Sequence, residues 1–310
     1  MRLAFVVDPP EQLKAYKDSS IAMMREASRR GHAIHLLEPR EIFVRDGRVM
    51  ASTRAIELEP SDHPWHRAGE ARDEPLGAFD AVFMRKDPPF DQEYYYATLL
   101  LERAKREGAR VVNDPAALRD WNEKLAILRF PQFTPATLVA RDMQRIHAFI
   151  AEHGDVVVKK LDGMGGTMIF RVSAADVNRN VIVEAITDMG NRTVMAQKFV
   201  PEIAKGDKRV LVIAGKPFAD CLARIPKAGE TRGNLAAGGR GVAQPISARD
   251  REIGEAVGRE LVQAGIVFAG LDVIGDYLTE VNVTSPTCIV EIAEQTGRNA
   301  AVALMDALAL

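Results

Sequence analysis

The sequence predicts an α/β protein, with an N-terminal, mostly parallel α/β domain followed by a second domain of short strands and glycine loops. Three observations carry this. The chain has 310 residues, enough for about two domains at ~150 residues each. Through its first third, apolar runs of strand length alternate with segments of helical period, the pattern of β-α-β units. Past Trp121 the pattern changes to short β-runs between glycine clusters, which sets the boundary: 1–121 and 122–310.

Leu3–Val7 reads as a buried strand closed by Asp8-Pro9-Pro10. Ile21, Met23, Met24 and Ala27 then recur at helical spacing, and Gly31 is the stop. Ala33–Leu37 is a second strand. Arg45–Gly47 and Ser52–Arg54 mark a hairpin and loop. Ala81–Met84 is a short strand, Tyr94–Glu107 a helix capped by Gly108, and Arg110–Val112 a strand. Asn113-Asp114-Pro115 opens a helix by its cap and first-turn proline, and this helix is expected to carry Trp121, Glu123 and Lys124. Thr137–Ala140, Val156–Lys160 and Met168–Val172 follow as strands, with two or three helices in the rest of the chain.

Composition excludes several classes of function. Apolar residues make up 47% and charged residues 27%, so the chain is not disordered. A net charge of -2 offers no basic field for nucleic acid. No apolar run reaches membrane-spanning length, and Leu3–Val7 is too short for a signal peptide. The two cysteines, Cys221 and Cys288, form no C-x-x-C pair and read as reduced thiols of a cytoplasmic protein. Cys288 is expected in the core. His63 and His66 have a spacing that metal ligands use, but a surface loop explains them better.

The first βα turn has no G-x-G-x-x-G, and no P-loop occurs anywhere. Asp155–Thr167 is either an ordinary glycine hairpin or another phosphate site. A strand delivers an exposed Lys159 to a loop with Gly163, Gly165 and Gly166, whose N–H groups can approach phosphate closely. Residues 227–241 hold five glycines, Arg232 and Arg240, and only Leu235 as an apolar anchor. This composition suits either a solvated linker or a mobile lid that closes over a polyanion, and glycines with arginines inside an otherwise well-packed domain favour the lid. In Val267–Thr287, a two-residue turn at Gly275-Asp276 pairs Asp272 with Thr279, whereas a three-residue loop pairs it with Glu280. The second register puts Leu271, Val273, Val281 and Val283 on one face. Asp272, Glu280 and Asn282 then share the other, a hard-oxygen set suited to Mg²⁺.

Together with "KDSS" (17–20), "MRKDPPFD" (84–91), "LRDWNEK" (118–124), "LDGMGG" (161–166), "GDKRVLV" (206–212), "CLARIP" (221–226), "GETRGNLAAGGRG" (229–241) and "LTEVNVTSPT" (278–287), these residues resemble bacterial glutathione synthetase, of the ATP-grasp superfamily, over essentially the whole chain. The resemblance implies an ATP-grasp fold after the N-terminal domain, with a central lid subdomain at about 122–200. It implies that Lys124 and Lys159 contact ATP phosphates, with Gly163, Gly165 and Gly166 beside them. The hinge Gln197, Lys198, Phe199 and Val200 would face adenine, and Asp207 the ribose. Asp272, Glu280 and Asn282 would bind two Mg²⁺ ions, with Mn²⁺ as a substitute. Arg209, Arg224, Ser285, Pro286 and Thr287 would hold the peptide, with Arg209, Arg224 and Arg232 serving catalysis. Lys160 stands where the family often has proline, and Lys198 at a variable position; both bear on nucleotide affinity.

The implied reaction ligates γ-glutamylcysteine to glycine through an acyl phosphate, giving glutathione, ADP and phosphate. The implied assembly is a homotetramer. The rivals are a D-alanine–D-alanine ligase-like or glutamate-adding ligase of the same superfamily, and a non-catalytic ATP-binding module.

Overall fold

A computed structural model describes residues 1–235 and 238–310. Its first sheet contains β1 (Arg2–Val6), β2 (Ala33–Leu37), β3 (Ile42–Arg45), β4 (Arg48–Leu58), β5 (His66–Pro75), β6 (Ala81–Met84) and β7 (Val111–Val112). The order is β3-β4-β2-β1-β6-β7, with β5 paired to β4. The expected parallel sheet is β2-β1-β6-β7, and an antiparallel ribbon of β3, β4 and β5 extends its edge. Helices α1 (Ser19–Arg29), α2 (Gln92–Arg106) and α3 (Pro115–Asp120) flank it. Asp18 starts α1 by accepting from Ile21 N at 2.9 Å. Phe5 stacks on Phe83 with ring centroids 4.6 Å apart in the fully buried parallel strands.

The second sheet is antiparallel, β10-β9-β11-β8, from β8 (Thr137–Ala140), β9 (Asp155–Lys160), β10 (Ile169–Ser173) and β11 (Val194–Lys198). Helices α4 (Met143–His153) and α5 (Arg179–Thr187) cover one face through Ile146, Ile150, Val183 and Ile186. The third sheet, also antiparallel, is β14-β13-β12-β15-β16. Its strands are β12 (Asp207–Ile213), β13 (Lys216–Ile225), β14 (Arg240–Pro245), β15 (Phe268–Ile274) and β16 (Tyr277–Asn282). Helices α6 (Ala248–Gln263), α7 (Ile289–Thr296) and α8 (Ala300–Leu308) complete the chain.

Four details differ from expectation. Helix α3 stops at Asp120 and does not carry Trp121, Glu123 or Lys124. Asn122 Oδ1 accepts from Lys124 N (3.2 Å) and Leu125 N (3.0 Å), offering the backbone a local turn instead of another helical one. Ser52–Arg54 lies inside β4, not in a loop. His66 begins β5, an edge strand whose charged, mostly exposed residues hide any strand alternation. Among the described residues, five α-helices, not two or three, follow residue 122, because α5, α7 and α8 are too short to show a sustained period.

The first and third sheets share cores. Leu3, Phe5 and Ile21 cluster with Leu211, Ile289 and Leu304, while Val82, Leu101 and Trp121 cluster with Val210, Leu271 and Val281. Buried Asn113 joins them through all of its side-chain capacity. Its Nδ2 donates to Phe268 O (2.8 Å) and Val283 O (2.9 Å), and its Oδ1 accepts from Val267 N (2.8 Å) and Phe268 N (3.0 Å). Buried Arg85 donates to Ser20 Oγ (3.0 Å) and Pro286 O (2.9 Å). Among the described residues, no helix is long and apolar enough to cross a membrane.

Candidate active site

The second and third sheets, with the loops that follow β1 and β6, line one cleft of about 600 Å³. The register of β15 and β16 organises its floor. Asp272 pairs with Glu280 and Gly270 with Asn282, as the apolar alternation requires. The turn is nonetheless the two-residue one, since Ile274 pairs with Tyr277. A bulge at Thr279, whose Oγ1 donates to Asp272 O at 3.1 Å, supplies the one-residue shift instead of a longer loop.

Asp272 is fully engaged by cations. Arg209 Nε reaches its Oδ1 at 2.7 Å and Arg224 Nη2 its Oδ2 at 2.9 Å. Arg224 Nη2 also reaches Asp207 Oδ2 at 2.5 Å. Burial works against the Asp272 carboxylate, but the two guanidinium groups hold it well below the usual range. Asp207 goes the other way: burial outweighs Arg224 and pushes it up to about 6. Its buried Oδ1 has no partner, an acceptor open to a hydroxyl donor. Gly270 makes the floor possible, because a Cβ there would sit 2.7 Å from Arg209 Cδ and 3.0 Å from Pro286 Cβ.

Two buried lysines close the end of the cleft beside the glycine loop. Lys124 Nζ donates to Gly163 O (2.5 Å) and Glu280 Oε1 (3.0 Å), tying the glycine loop to β16. Burial disfavours its charge, yet Glu280 leaves its pKa raised. Lys159 is 6% exposed, not exposed as expected, and donates to Thr279 O at 3.1 Å. Burial lowers its pKa. Lys159 lines the cleft, whereas Lys160 turns away and pairs with Asp162 at 3.3 Å. Gly163, Gly165 and Gly166 line the cleft beside them.

Gln197, Lys198, Phe199 and Val200 form the next wall. Gln197 Nε2 donates to Thr137 Oγ1 at 3.1 Å, and the Lys198 and Phe199 amides donate to Ala136 O and Asp155 O. The Arg171 guanidinium covers the Phe199 ring at 3.8 Å.

The expected lid lies against the site. Thr231, Arg232, Gly233, Asn234 and Leu235 line the cleft, and a Cβ on Gly233 would come within 2.3 Å of Arg224 O. Ala236 and Ala237, part of the expected lid, lie outside the described residues. Arg232 already has an anionic neighbour, Glu230 Oε2 at 2.6 Å, and its Nη1 reaches Gly166 O at 3.3 Å. Leu235 packs on the core, so the loop has more apolar anchorage than its composition suggests.

Among the described residues, no three His, Cys, Asp or Glu side chains gather as a metal site, and His63 and His66 do not line the cleft, whereas Asp272, Glu280 and the amide Asn282 do. That set fits a hard cation. Asn282 Nδ2 donates to Gly270 O at 3.1 Å, which leaves its carbonyl oxygen for the cleft. Asp272 Oδ1 and Glu280 Oε1 each accept one protein bond and retain a lone pair. Ser285 and Thr287 line the cleft, while Pro286 packs beneath Arg209 and receives Arg85 on its carbonyl. Cys288 is buried as expected, but at the cleft wall.

Family models match at both ends of the chain. The N-terminal domain of prokaryotic glutathione synthetase matches residues 1–119 and its ATP-grasp domain residues 123–297. The chain belongs to the prokaryotic glutathione synthetase family. Glutathione synthetase of Nitrosomonas europaea is 55% identical over 99% of this chain and 97% of its own length. That of Bordetella parapertussis is 56% identical over 96% of both. Among solved structures, D-cycloserine synthetase DcsG aligns with a TM-score of 0.69 at 15% identity, covering 100% of this chain and 99% of its own. The ATP-grasp ligase PsnB, complexed with minimal precursor, aligns at 0.63 and 19% identity, covering 99% and 98%. The fold is ATP-grasp, and this family member is an ATP-dependent ligase.

Glu123 is a contributor that residue types alone did not reveal. Its Oε1 accepts from Val283 N (2.9 Å), Thr284 N (3.0 Å) and Thr284 Oγ1 (2.7 Å), and its carbonyl accepts from Val281 N (2.9 Å). It thereby seats the segment that carries Ser285 and Thr287. Burial, then repulsion from Glu280, raises its pKa.

Proposed function

We propose that this chain ligates γ-glutamylcysteine to glycine, splitting ATP to ADP and phosphate. The observation that carries this reading is the convergence of Lys124, Lys159, Arg209, Arg224 and a hard-oxygen set on one cleft, in a family member. A carboxylate is a poor electrophile, so its oxygen first takes the γ-phosphoryl group as the bond to ADP breaks. Lys124 and Lys159 hold the phosphates, and the hinge Gln197–Val200 takes adenine. Asp207, through its open Oδ1, accepts a ribose hydroxyl. Arg209 and Arg224, with Ser285 and Thr287, orient the dipeptide carboxylate, and Pro286 supports them from outside the cleft. The glycine amine then attacks, and phosphate leaves from a tetrahedral intermediate whose oxyanion needs cationic donors. Asp272, Glu280 and Asn282 would hold Mg²⁺, two ions in this reading, which when bound neutralises phosphate charge and polarises the transferring group. A cytoplasmic homotetramer completes the proposal; both cysteines are free and buried.

ADP release tests the reaction. Release should require γ-glutamylcysteine and glycine together. Stimulation by D-alanine or glutamate in place of glycine would favour another ligase, and ATP binding without turnover a non-catalytic module.

The lid makes a separate prediction. Trypsin should cut the free enzyme at Lys227, Arg232 or Arg240, leaving an N-terminal fragment ending there. ATP, Mg²⁺ and the dipeptide should slow the cut at least fivefold as the loop closes and shields the acyl phosphate from water. Equal rates with and without ligands would remove the lid from the mechanism.

A further inference from the structure

We infer that Thr279 is a positioning residue for Lys159: it is an extra residue in β16 whose main-chain carbonyl fixes the lysine ammonium where the ATP phosphates bind. The inference rests on the reading above only in taking ATP as the ligand of that ammonium.

The ladder between β15 and β16 would be more regular without Thr279. Val273 pairs with Leu278 and Asp272 with Glu280, so Thr279 has no residue of its own across the pair. Its removal would leave Leu278, Glu280 and Val281 in succession opposite Val273, Asp272 and Leu271. Strict alternation would then put Leu278, Val281 and Val283 on the buried face and Glu280 and Asn282 on the cleft face. The two-residue turn, at which Ile274 pairs with Tyr277, would not change. Neither the turn nor the pairing of the two carboxylates therefore calls for the extra residue, and a bulge disrupts the ladder around it.

What the extra residue supplies is an acceptor outside the ladder. The residue added by a bulge is left unpaired, so its carbonyl is free for another group. That group is Lys159 Nζ, at 3.1 Å. Lys159 lies in β9, flanked by β10 and β11, so its backbone is fixed in the middle of the second sheet. Its side chain reaches the third sheet, and among the described residues Thr279 O is the one protein acceptor it meets. An ammonium has three donors, so one bond to the carbonyl leaves two for phosphate oxygens.

Placement matters because a second ammonium is close. The Lys124 charge acts against that of Lys159. Lys124 is held by Glu280 Oε1 at 3.0 Å and by Gly163 O. Two consecutive residues of β16 thus hold the two lysines, Glu280 by its carboxylate and Thr279 by its backbone. The Thr279 hydroxyl locks the bulge, since Oγ1 donates to Asp272 O at 3.1 Å. The side chain sets the shape of the bulge, and the carbonyl does the holding.

A chain lacking Thr279 tests this, with Thr279→Val and Thr279→Ser beside it. The readout is equilibrium ATP binding in Mg²⁺-free buffer, which senses the ammonium without a metal. The deletion variant should keep the far-UV circular dichroism of the unmodified enzyme and bind ATP about tenfold more weakly or worse, the scale of one hydrogen bond to a charged group. Lys159→Ala should weaken binding about as much in the unmodified enzyme, and by less than about twofold when added to the deletion, because both changes remove one contact. The Mg²⁺ concentration that half-saturates turnover should stay within about threefold, since Asp272 and Glu280 remain paired. Thr279→Val keeps the carbonyl but unlocks the bulge, so it should weaken ATP binding by about two- to fivefold, and Thr279→Ser should restore it. The inference is overturned if the folded deletion variant binds ATP within twofold of the unmodified enzyme, or if Lys159→Ala costs it a further tenfold. Should the deletion variant not fold, equal ATP affinity in the valine and serine variants overturns it. ATP binding by the unmodified enzyme without ADP release in the presence of γ-glutamylcysteine and glycine would overturn the proposed reaction and leave this inference standing.

Discussion

Glu280→Gln should lower turnover by about a thousandfold, ~4 kcal/mol of transition-state stabilisation. Asp272 is held between two guanidinium groups, so Glu280 is the carboxylate on the site's floor with the weakest internal compensation, a single bond from Lys124 at 3.0 Å. The amide is nearly isosteric and keeps an oxygen for Lys124, so the melting temperature should move by less than about 2 °C, the range of a surface change. What is lost is negative charge where a divalent cation would bind. Raising Mg²⁺ tenfold should therefore recover part of the activity. Normal turnover at ordinary Mg²⁺ would refute the assignment of Glu280 as a ligand.

Asn113→Ala should be the most destabilising single change, by about 3–5 kcal/mol. It strips partners from two carbonyls and two amides at once, all between the first and third sheets. For a chain of this size that corresponds to a fall of roughly 6–10 °C in melting temperature. Asn113→Asp should be no milder, since its carboxylate would bury a negative charge against the Phe268 and Val283 carbonyls that the amide now satisfies. A shift under about 2 °C for the alanine variant would mean that water satisfies these groups as well as the side chain does.

The legible parts of this molecule are those in which local pattern and tertiary environment agree. Leu271, Val273, Val281 and Val283 alternate because one face is buried, and that alternation alone brought Asp272 opposite Glu280. That Lys159 and Gly163, Gly165 and Gly166 line one cleft could be read, because a strand runs directly into the glycine loop. The burial of Lys159 could not, because it depends on β16 crossing 120 residues later in the chain. Strand β5 was hidden by its own charges, which protect an edge and erase alternation. Glu123, Arg85 and Asn113 are ordinary polar residues until the fold gives them partners. Glu123 and Arg85 lie in the segments "LRDWNEK" and "MRKDPPFD". Those segments carried the family resemblance without disclosing what the two residues do.

The fastening of α1 and β7 to the far sheet has a consequence for protein engineering. A chimera that takes residues 1–121 from one relative and the remainder from another would seem a clean exchange of parts. Yet Ser19, Arg85 and Asn113 reach across to Ile289, Pro286, Phe268 and Val283. These contacts address backbone atoms, so they tolerate a change of side chain on the receiving segment but not a change in its path. Donors should therefore be chosen by matching loop lengths across 283–289 before overall identity is considered. A graft that alters the length there would pull Ile289, Pro286 and Val283 away from Ser19, Arg85 and Asn113 even if every one of the named residues were retained.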